Sequence, residues 1–184
     1  MIIFRPDNHE YLIGKIKIPS VTQILQNEGL IDTYFFEPEH ARKGRELHEI
    51  TELVDKGLTS IDGLPADYIP YIEAYISFLR ISGVKILQSE KRLYHELLGF
   101  AGTLDRYVSI NGHEAIIDIK TGVKAKWHPV QLAGYKILAD TNNAKMYCLY
   151  LEKTGKFKLV EYKDDIKYKN IFMSALNIYK FKHS

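Results

Sequence analysis

The sequence predicts an α/β (α+β) fold in which two helices, a strand, a β-hairpin, a third helix and a further strand follow one another. Three observations carry this reading. Asn111-Gly112 lies between TLDRYVSI and HEAIIDIK, and Asn-Gly is the preferred pair for a two-residue type I′ turn between strands rich in β-branched and aromatic residues. Segments near 39–56, 65–82 and 129–139 repeat apolar residues at the helical period. Apolar residues make up 46% of 184 residues, enough for the core of a single domain spanning 1–184.

Residues 1–18 read as two short strands, MIIFRP and YLIGKIKI, joined by the polar DNHE. A short helix follows from Pro19, with Ser20 as N-cap and Gln23 completing a capping box. Residues 1–30 therefore form a hairpin plus short helix appended to the core. Ser20 and Thr22 at this helix start offer a phosphate site; the capping role alone also accounts for them. IDTYFFEP is an irregular aromatic stretch. The helix from about Glu39 to Lys56 carries Leu47, Ile50, Leu53 and Val54 as its buried stripe and stops at Gly57. His48 lies beside that stripe, and its local partner is Glu52 at i+4. Arg42, Lys43 and Arg45 stand one turn earlier, as a contact for DNA phosphates or as an ordinary solvated face.

Pro65 opens a second helix, through about Ser82, with Ile69, Ile72, Tyr75 or Ile76, and Leu79 inward and Gly83 as its stop. Val84–His95 reads as a strand with Glu90 inside it, and Glu96–Ala101 as a loop. The hairpin is next. Counting outward from Ile110 opposite His113 puts Asp105 opposite Asp118 and Thr103 opposite Lys120, with Asp105, Asp118 and Lys120 on one face. Two carboxylates opposed at ~5 Å repel by roughly 3 kcal/mol at an effective dielectric of ~20. An ordinary cross-strand pair contributes only about 0.2–1 kcal/mol. The pair is therefore not there for stability unless something cationic sits between the carboxylates, and Lys120 or a divalent metal with hard-oxygen preference is the candidate. A solvated face is the alternative, but AIIDIK is nearly continuously apolar around Asp118, the pattern of a buried strand holding a charge that needs a partner.

After Thr121-Gly122 the loop VKAKWH holds Lys124, Lys126 and Trp127, suited to a DNA strand by charge and stacking; Trp127 as a lid over the core is the other reading. Pro129 starts a helix to about Ala139, with Val130, Ala133, Gly134, Ile137 and Leu138 inward. Gln131 and Tyr135 share the neighbouring stripe. AKMYCLYL is one more strand of the same sheet, and Thr154-Gly155 turns the chain into FKLVEY. An amphipathic helix from about Asp164 ends the chain, carrying Ile171, Phe172, Leu176, Ile178 and Tyr179. Residues 153–184 hold eight lysines against three acids, a candidate basic patch or a common solvent face.

GTLD, then DIK followed by TG, then QLAGY, resembles the PD-(D/E)XK nuclease superfamily, and within it the RecB-like exonuclease branch that includes phage recombination exonucleases and the mitochondrial genome maintenance exonuclease. The match is firm over about Lys85–Tyr150. The resemblance implies a restriction-endonuclease-like core of α-β-β-β-α-β order: a mixed central β-sheet flanked by helices, with residues 84–152 as catalytic sheet and helix. It implies a Mg²⁺- or Mn²⁺-dependent DNA exonuclease acting on linear DNA from an end, leaving a 5′-phosphate, in recombination, replication or repair. Asp105, Asp118 and the Ile119 carbonyl would bind the metal; His48 in GRELHE, and Glu90, would complete the set. Lys120 would position the attacking water or neutralise developing charge. Gln131 and Tyr135 would orient Lys120 or touch the DNA backbone. A single-strand-annealing or other recombination protein is the partner such enzymes imply.

Composition limits the alternatives. Net charge is +2, so DNA binding must come from a local patch. The single cysteine, Cys148, reads as a small buried hydrophobe. It excludes a Cys₄ iron–sulfur cluster and a disulfide framework. The sequence has no 18-residue apolar run and no signal-peptide pattern, so no membrane partner and a cytoplasmic location are expected. A catalytically silent DNA-binding module of a recombination complex is the runner-up; a hairpin ladder salt-bridged through Lys120 is a third reading.

Overall fold

The computed structural model describes residues 2–6, 10–32, 38–59 and 61–183. The joint at 7–9 and the aromatic stretch at 33–37 lie outside them. The elements in chain order are β1 (Ile2–Arg5), β2 (Glu10–Ile13), β3 (Ile16–Ile18), α1 (Val21–Asn27), α2 (Pro38–Asp55), α3 (Ile69–Ser82), β4 (Lys85–His95), β5 (Phe100–Ile110), β6 (His113–Lys120), α4 (His128–Leu138), β7 (Lys145–Leu151), β8 (Phe157–Tyr162) and α5 (Asp165–His183).

Among the described residues the strands form two sheets. β4-β5-β6-β7-β8 is mixed: β6 and β7 run parallel, the other neighbours antiparallel. A parallel pair needs a crossover, and α4 supplies it. Helices α1, α4 and α5 share one apolar cluster with Ile116, Met146 and Cys148. Helix α3 covers the opposite face, where Tyr75 and Phe78 pack with Ile117, Ile119 and Leu149. Both faces are covered, which is why β6 reads as a continuous apolar run.

The small sheet β1-β2-β3 corrects the two-strand expectation. Gly14 takes φ +60, so YLIGKIKI folds back on itself, and Leu12 pairs with Lys17. This sheet is tied to the large one by the Ser20–Ala101 bridge and a 2.6 Å hydrogen bond between the hydroxyls of Tyr11 and Thr103. The capping box forms as expected, Ser20 Oγ accepting from the Gln23 N–H and Gln23 Oε1 from the Ser20 N–H.

Other boundaries differ for local reasons. Helix α3 begins at Ile69 with Pro70 in its first turn, while Pro65–Tyr68 forms a separate turn. Tyr75 and Phe78 are buried in it, and Gly83 caps it at φ +61. In α2 the buried positions are Leu47 and Thr51; Leu53, expected inward, is exposed. Ile178 of α5 is likewise exposed, and Ala175 takes the inward place beside Leu176. Among the described residues no helix is long and apolar enough to cross a membrane.

Candidate active site

The hairpin turns at Asn111 (φ +50) and Gly112 (φ +76), the type I′ geometry. Pairing runs from Ile110–His113 to Arg106–Ile117. The next register step is Asp105 and Asp118, and there the ladder stops. On the other flank Ser89–Arg106 and Lys91–Leu104 bracket Glu90 opposite Asp105, and the pairing skips that step. Glu90 has φ +47, uncommon for a residue with a side chain. Glu90, Asp105 and Asp118 thus stand side by side across three adjacent strands, where the β5–β6 ladder ends and the β4–β5 ladder is interrupted for one step. The expected opposition of Asp105 and Asp118 holds as a register step but not as a hydrogen-bonded pair. Asp105 Oδ2 instead accepts from the Ile119 N–H at 2.7 Å.

The facing of β5 changes at the same point. Gly102 and Leu104 look toward α4, whereas Arg106 and Val108 look toward α3. Gly102 has a packing reason. A Cβ there would lie 2.9 Å from Leu138 Cδ1 and 3.0 Å from Tyr135 Cε1, so glycine lets β5 approach α4 without displacing these two side chains. The acids are held in place by apolar burial. Ile116, Ile117 and Ile119 are each almost fully buried, contributing about 1.5–3 kcal/mol apiece, which outweighs a carboxylate repulsion of roughly 3 kcal/mol.

Two basic groups face the row. His48 Nδ1 lies 3.4 Å from Asp105 Oδ2 and 3.7 Å from Glu90 Oε1. Its Nε2 donates to the Ile119 carbonyl at 3.1 Å. The local partner Glu52 pairs with Lys56 instead. Lys120 Nζ lies 2.7 Å from Asp118 Oδ2 and donates to Gln131 Oε1 at 2.9 Å. Gln131 Nε2 donates to Thr22 Oγ1 at 3.0 Å and to the Tyr135 hydroxyl at 3.2 Å. Gln131 thus touches Lys120, with Tyr135 behind Gln131.

Charge crowding shows in the titration of these groups. Burial pushes Asp118 up to about 6, Lys120 partly offsetting it and Asp105 adding to it. Burial also raises Glu90, against His48. Asp105 is lowered, because His48, Lys120 and the Ile119 N–H outweigh its burial. Burial alone would lower His48, yet Asp105 and Glu90 push it up to about 10. Three carboxylates this close do not all ionise easily without more positive charge. The ligand atoms of His48, Glu90 and Asp105 lie within 4.8 Å of one another, a donor set of oxygens plus one imidazole that suits Mg²⁺ or Mn²⁺. Asp118 stands next to them on Lys120. The Ile119 carbonyl accepts from His48 and keeps a second lone pair.

These groups open onto a cavity of about 650 Å³. Of the residues expected to meet DNA, Ser20, Thr22, Arg45 and Trp127 line it. Arg42 turns to Glu46 at 2.7 Å and borders a separate groove. Lys124 and Lys126 are exposed, and the Lys124 ammonium lies 5.3 Å from the Tyr162 ring centre. Trp127 is half-buried over the site, its ring centre 5.1 Å from Lys120 Nζ. It stands edge-on to His128, which shares a 2.7 Å hydrogen bond with the Tyr150 hydroxyl. Cys148 is fully buried as expected, and its Sγ lies 3.9 Å from Asp118 Oδ2.

Sequence reasoning missed Arg92, which lines the cavity with its guanidinium over the Phe4 ring at 4.7 Å. It also missed Arg106. The signal for Arg106 was available, since TLDRYVSI buries a charge inside an apolar strand just as AIIDIK does.

No family model matches this sequence, and no curated protein matches it. Among solved structures, a protein from Eubacterium rectale described as a "putative exonuclease" superposes with a TM-score of 0.52 at 14% identity, over 90% of this chain and 73% of that one. SSO0001, 15% identical over 86% of this chain and 84% of its own, gives a TM-score of 0.34, too low to indicate a shared fold. The first likeness is one of fold: this chain shares that protein's α+β architecture, a five-stranded mixed sheet flanked by helices.

Proposed function

We propose that the chain is a divalent-metal-dependent deoxyribonuclease of the RecB-like type that hydrolyses phosphodiester bonds of linear DNA from an end. One observation carries the reading: the row Glu90, Asp105 and Asp118, with His48 over the first two and Lys120 on the third, at the floor of one cavity. Opposed acids of this kind cost stability and are kept where a cation is to be bound.

His48, Glu90 and Asp105 would hold the ion, with Asp118 beside them. Bound Mg²⁺ or Mn²⁺ supplies Lewis-acid polarisation of a phosphoryl oxygen and a more acidic water. Lys120 has its own part. Burial would lower its pKa, but Asp118 and Asp105 raise it. It therefore stays an ammonium at neutral pH and serves as a hydrogen-bond donor that orients water and offsets developing negative charge, not as a general base. Gln131 fixes its direction. Arg45, Arg92 and Trp127 at the cavity wall meet the phosphate backbone and stack on bases.

The test is degradation of end-labelled linear DNA against covalently closed circles, with Mn²⁺, Mg²⁺ or EDTA, by wild type and Asp118→Ala. Metal-dependent loss of linear DNA alone, abolished by the substitution, is expected. Folded wild-type protein that degrades nothing under any metal would point to the silent DNA-binding module.

A further inference from the structure

We infer that Arg106 is a positioning residue for the metal site, a buried clamp that sets the spacing of its donors; this rests on the metal reading of His48, Glu90 and Asp105 given above. Those three donors come from three separate elements: α2, β4 and β5. Arg106 makes a hydrogen bond to each of these elements. Its Nη1 donates to Glu90 Oε1 at 3.0 Å and to the Asp105 carbonyl at 2.7 Å. Its Nη2 donates to Thr51 Oγ1 at 2.9 Å. The Thr51 hydroxyl in turn donates to the His48 carbonyl at 2.8 Å, so the guanidinium reaches the helical turn that carries His48.

The clamp has its own anchor on the far side. Arg106 Nε lies 2.5 Å from Asp55 Oδ2 and donates to the Tyr75 hydroxyl at 3.0 Å. Asp55 also accepts from Tyr75 and from Ser89, both at 2.6 Å. Arg106 is 1% exposed and Asp55 has a side chain 4% exposed. Burying this pair is costly, and two apolar residues of similar volume would stabilise the fold as well or better. The stability ledger alone does not explain it. A planar fork with five donors does explain it, because it fixes angles between several acceptors at once, which a lysine cannot do. The ladder gap at Glu90 and Asp105 gives the reason a clamp is required. Pairing at Ser89–Arg106 and Lys91–Leu104 fixes the two strands, but the skipped step and the Glu90 φ of +47 leave the direction of the Glu90 carboxylate to another group.

The experiment measures Mn²⁺ affinity directly by calorimetry, alongside thermal unfolding, for wild type, Arg106→Lys, Thr51→Val, Glu90→Gln and the double variant Arg106→Lys/Glu90→Gln. Outer partners of metal ligands typically change affinity by about 10–100-fold. Arg106→Lys should weaken Mn²⁺ binding by about tenfold or more, and Thr51→Val by a few-fold. In the Glu90→Gln background the Arg106→Lys effect should shrink, because one group through which it acts is already altered. A merely structural arginine would lower the melting temperature, leave affinity unchanged in folded protein and show no such non-additivity. Folded Arg106→Lys that binds Mn²⁺ within twofold of wild type overturns the inference. If Arg106→Lys does not fold, Thr51→Val decides: weakened binding supports the clamp, and unchanged binding overturns it. Wild-type protein that binds no Mn²⁺ would instead overturn the metal reading itself.

Discussion

The two ends of the β5–β6 hairpin are made of the same strands and do opposite things. Toward the turn, five consecutive residue pairs keep regular register from Ile110–His113 to Arg106–Ile117. At the other end the ladder opens, three carboxylates line up, and Arg106, His48 and Lys120 take over the work of holding the strands at a set distance. The turn end is stabilised by its local sequence. The open end is held by groups from α2, α3 and α4 and carries net repulsion of its own. Stability and chemistry are thus separated along one pair of strands by a distance of about five residues, and substitutions at the two ends should separate in the same way.

The largest effect is expected from the acids. Asp105→Asn and Asp118→Ala should each lower hydrolysis by about 10³-fold or more, since the electrostatic contribution of a bound metal is several kcal/mol. Both should leave metal-free protein folded but with a lower melting temperature, because His48, Lys120 and the Ile119 N–H hold the Asp105 charge and Asp118 is the buried partner of Lys120. Single-turnover hydrolysis of labelled DNA and thermal unfolding in EDTA measure the two sides. Loss of fold with loss of activity would break the comparison.

The open end should also be the acid-sensitive one. Burial, with Lys120 adding to it, pushes His128 down to about 3, whereas an unfolded histidine titrates near 6.5. Between those values the unfolded state binds the extra proton. The contribution of neutral His128 is thus complete above pH 6.5 and is lost as pH falls, by about 1.4 kcal/mol per unit, or about 2 kcal/mol at pH 5. Asp118, raised to about 6, works in the opposite sense over part of this range. The measurement is therefore a difference: urea unfolding of wild type and His128→Gln at pH 7 and pH 5. The variant should lose less stability on acidification.

What could be read in the sequence divides along the same line. The turn end was legible because Asn111-Gly112 and its alternating flanks are local signals. Asp118 was legible because a charge inside an apolar strand needs a partner, Asp105 and Lys120 because the hairpin register puts them on its face, and Gln131 at the resembled spacing does bond Lys120. The ladder gap was not legible, since it depends on Glu90 adopting φ +47 and on the side of the sheet that Arg106 faces. The Arg106 clamp joins residues 51, 55, 75, 90 and 105, and no periodicity in one segment encodes contacts among five. The start of α3 was misplaced because Pro65 and Pro70 are equally good helix openers by local rules; the buried Tyr68, not the proline, sits at the true start.

A smaller effect separates Lys120 from its support. Gln131→Leu removes the acceptor on Lys120 Nζ while Asp118 keeps the ammonium in place. The reaction rate at saturating metal should fall about tenfold, the low end for an outer-shell partner. Mn²⁺ affinity should stay near wild type, because Gln131 contacts none of His48, Glu90 or Asp105. An equal loss in affinity would mean that α4 also shapes the metal site.

The smallest effect belongs to the turn. Gly112 has φ +76 and open space around its would-be Cβ, so Gly112→Ala meets no clash and costs only the left-handed backbone, about 1 kcal/mol. For a chain of this size that corresponds to a melting temperature lower by about 2–4 °C. Hydrolysis at 25 °C should be unchanged, since the five paired steps between Gly112 and Asp105 lie in a buried sheet whose register is fixed by its apolar alternation. If Gly112→Ala instead reduced turnover at full folding, the register would be transmitting strain from turn to acids, and the two ends of the hairpin would have to be treated as one mechanical unit.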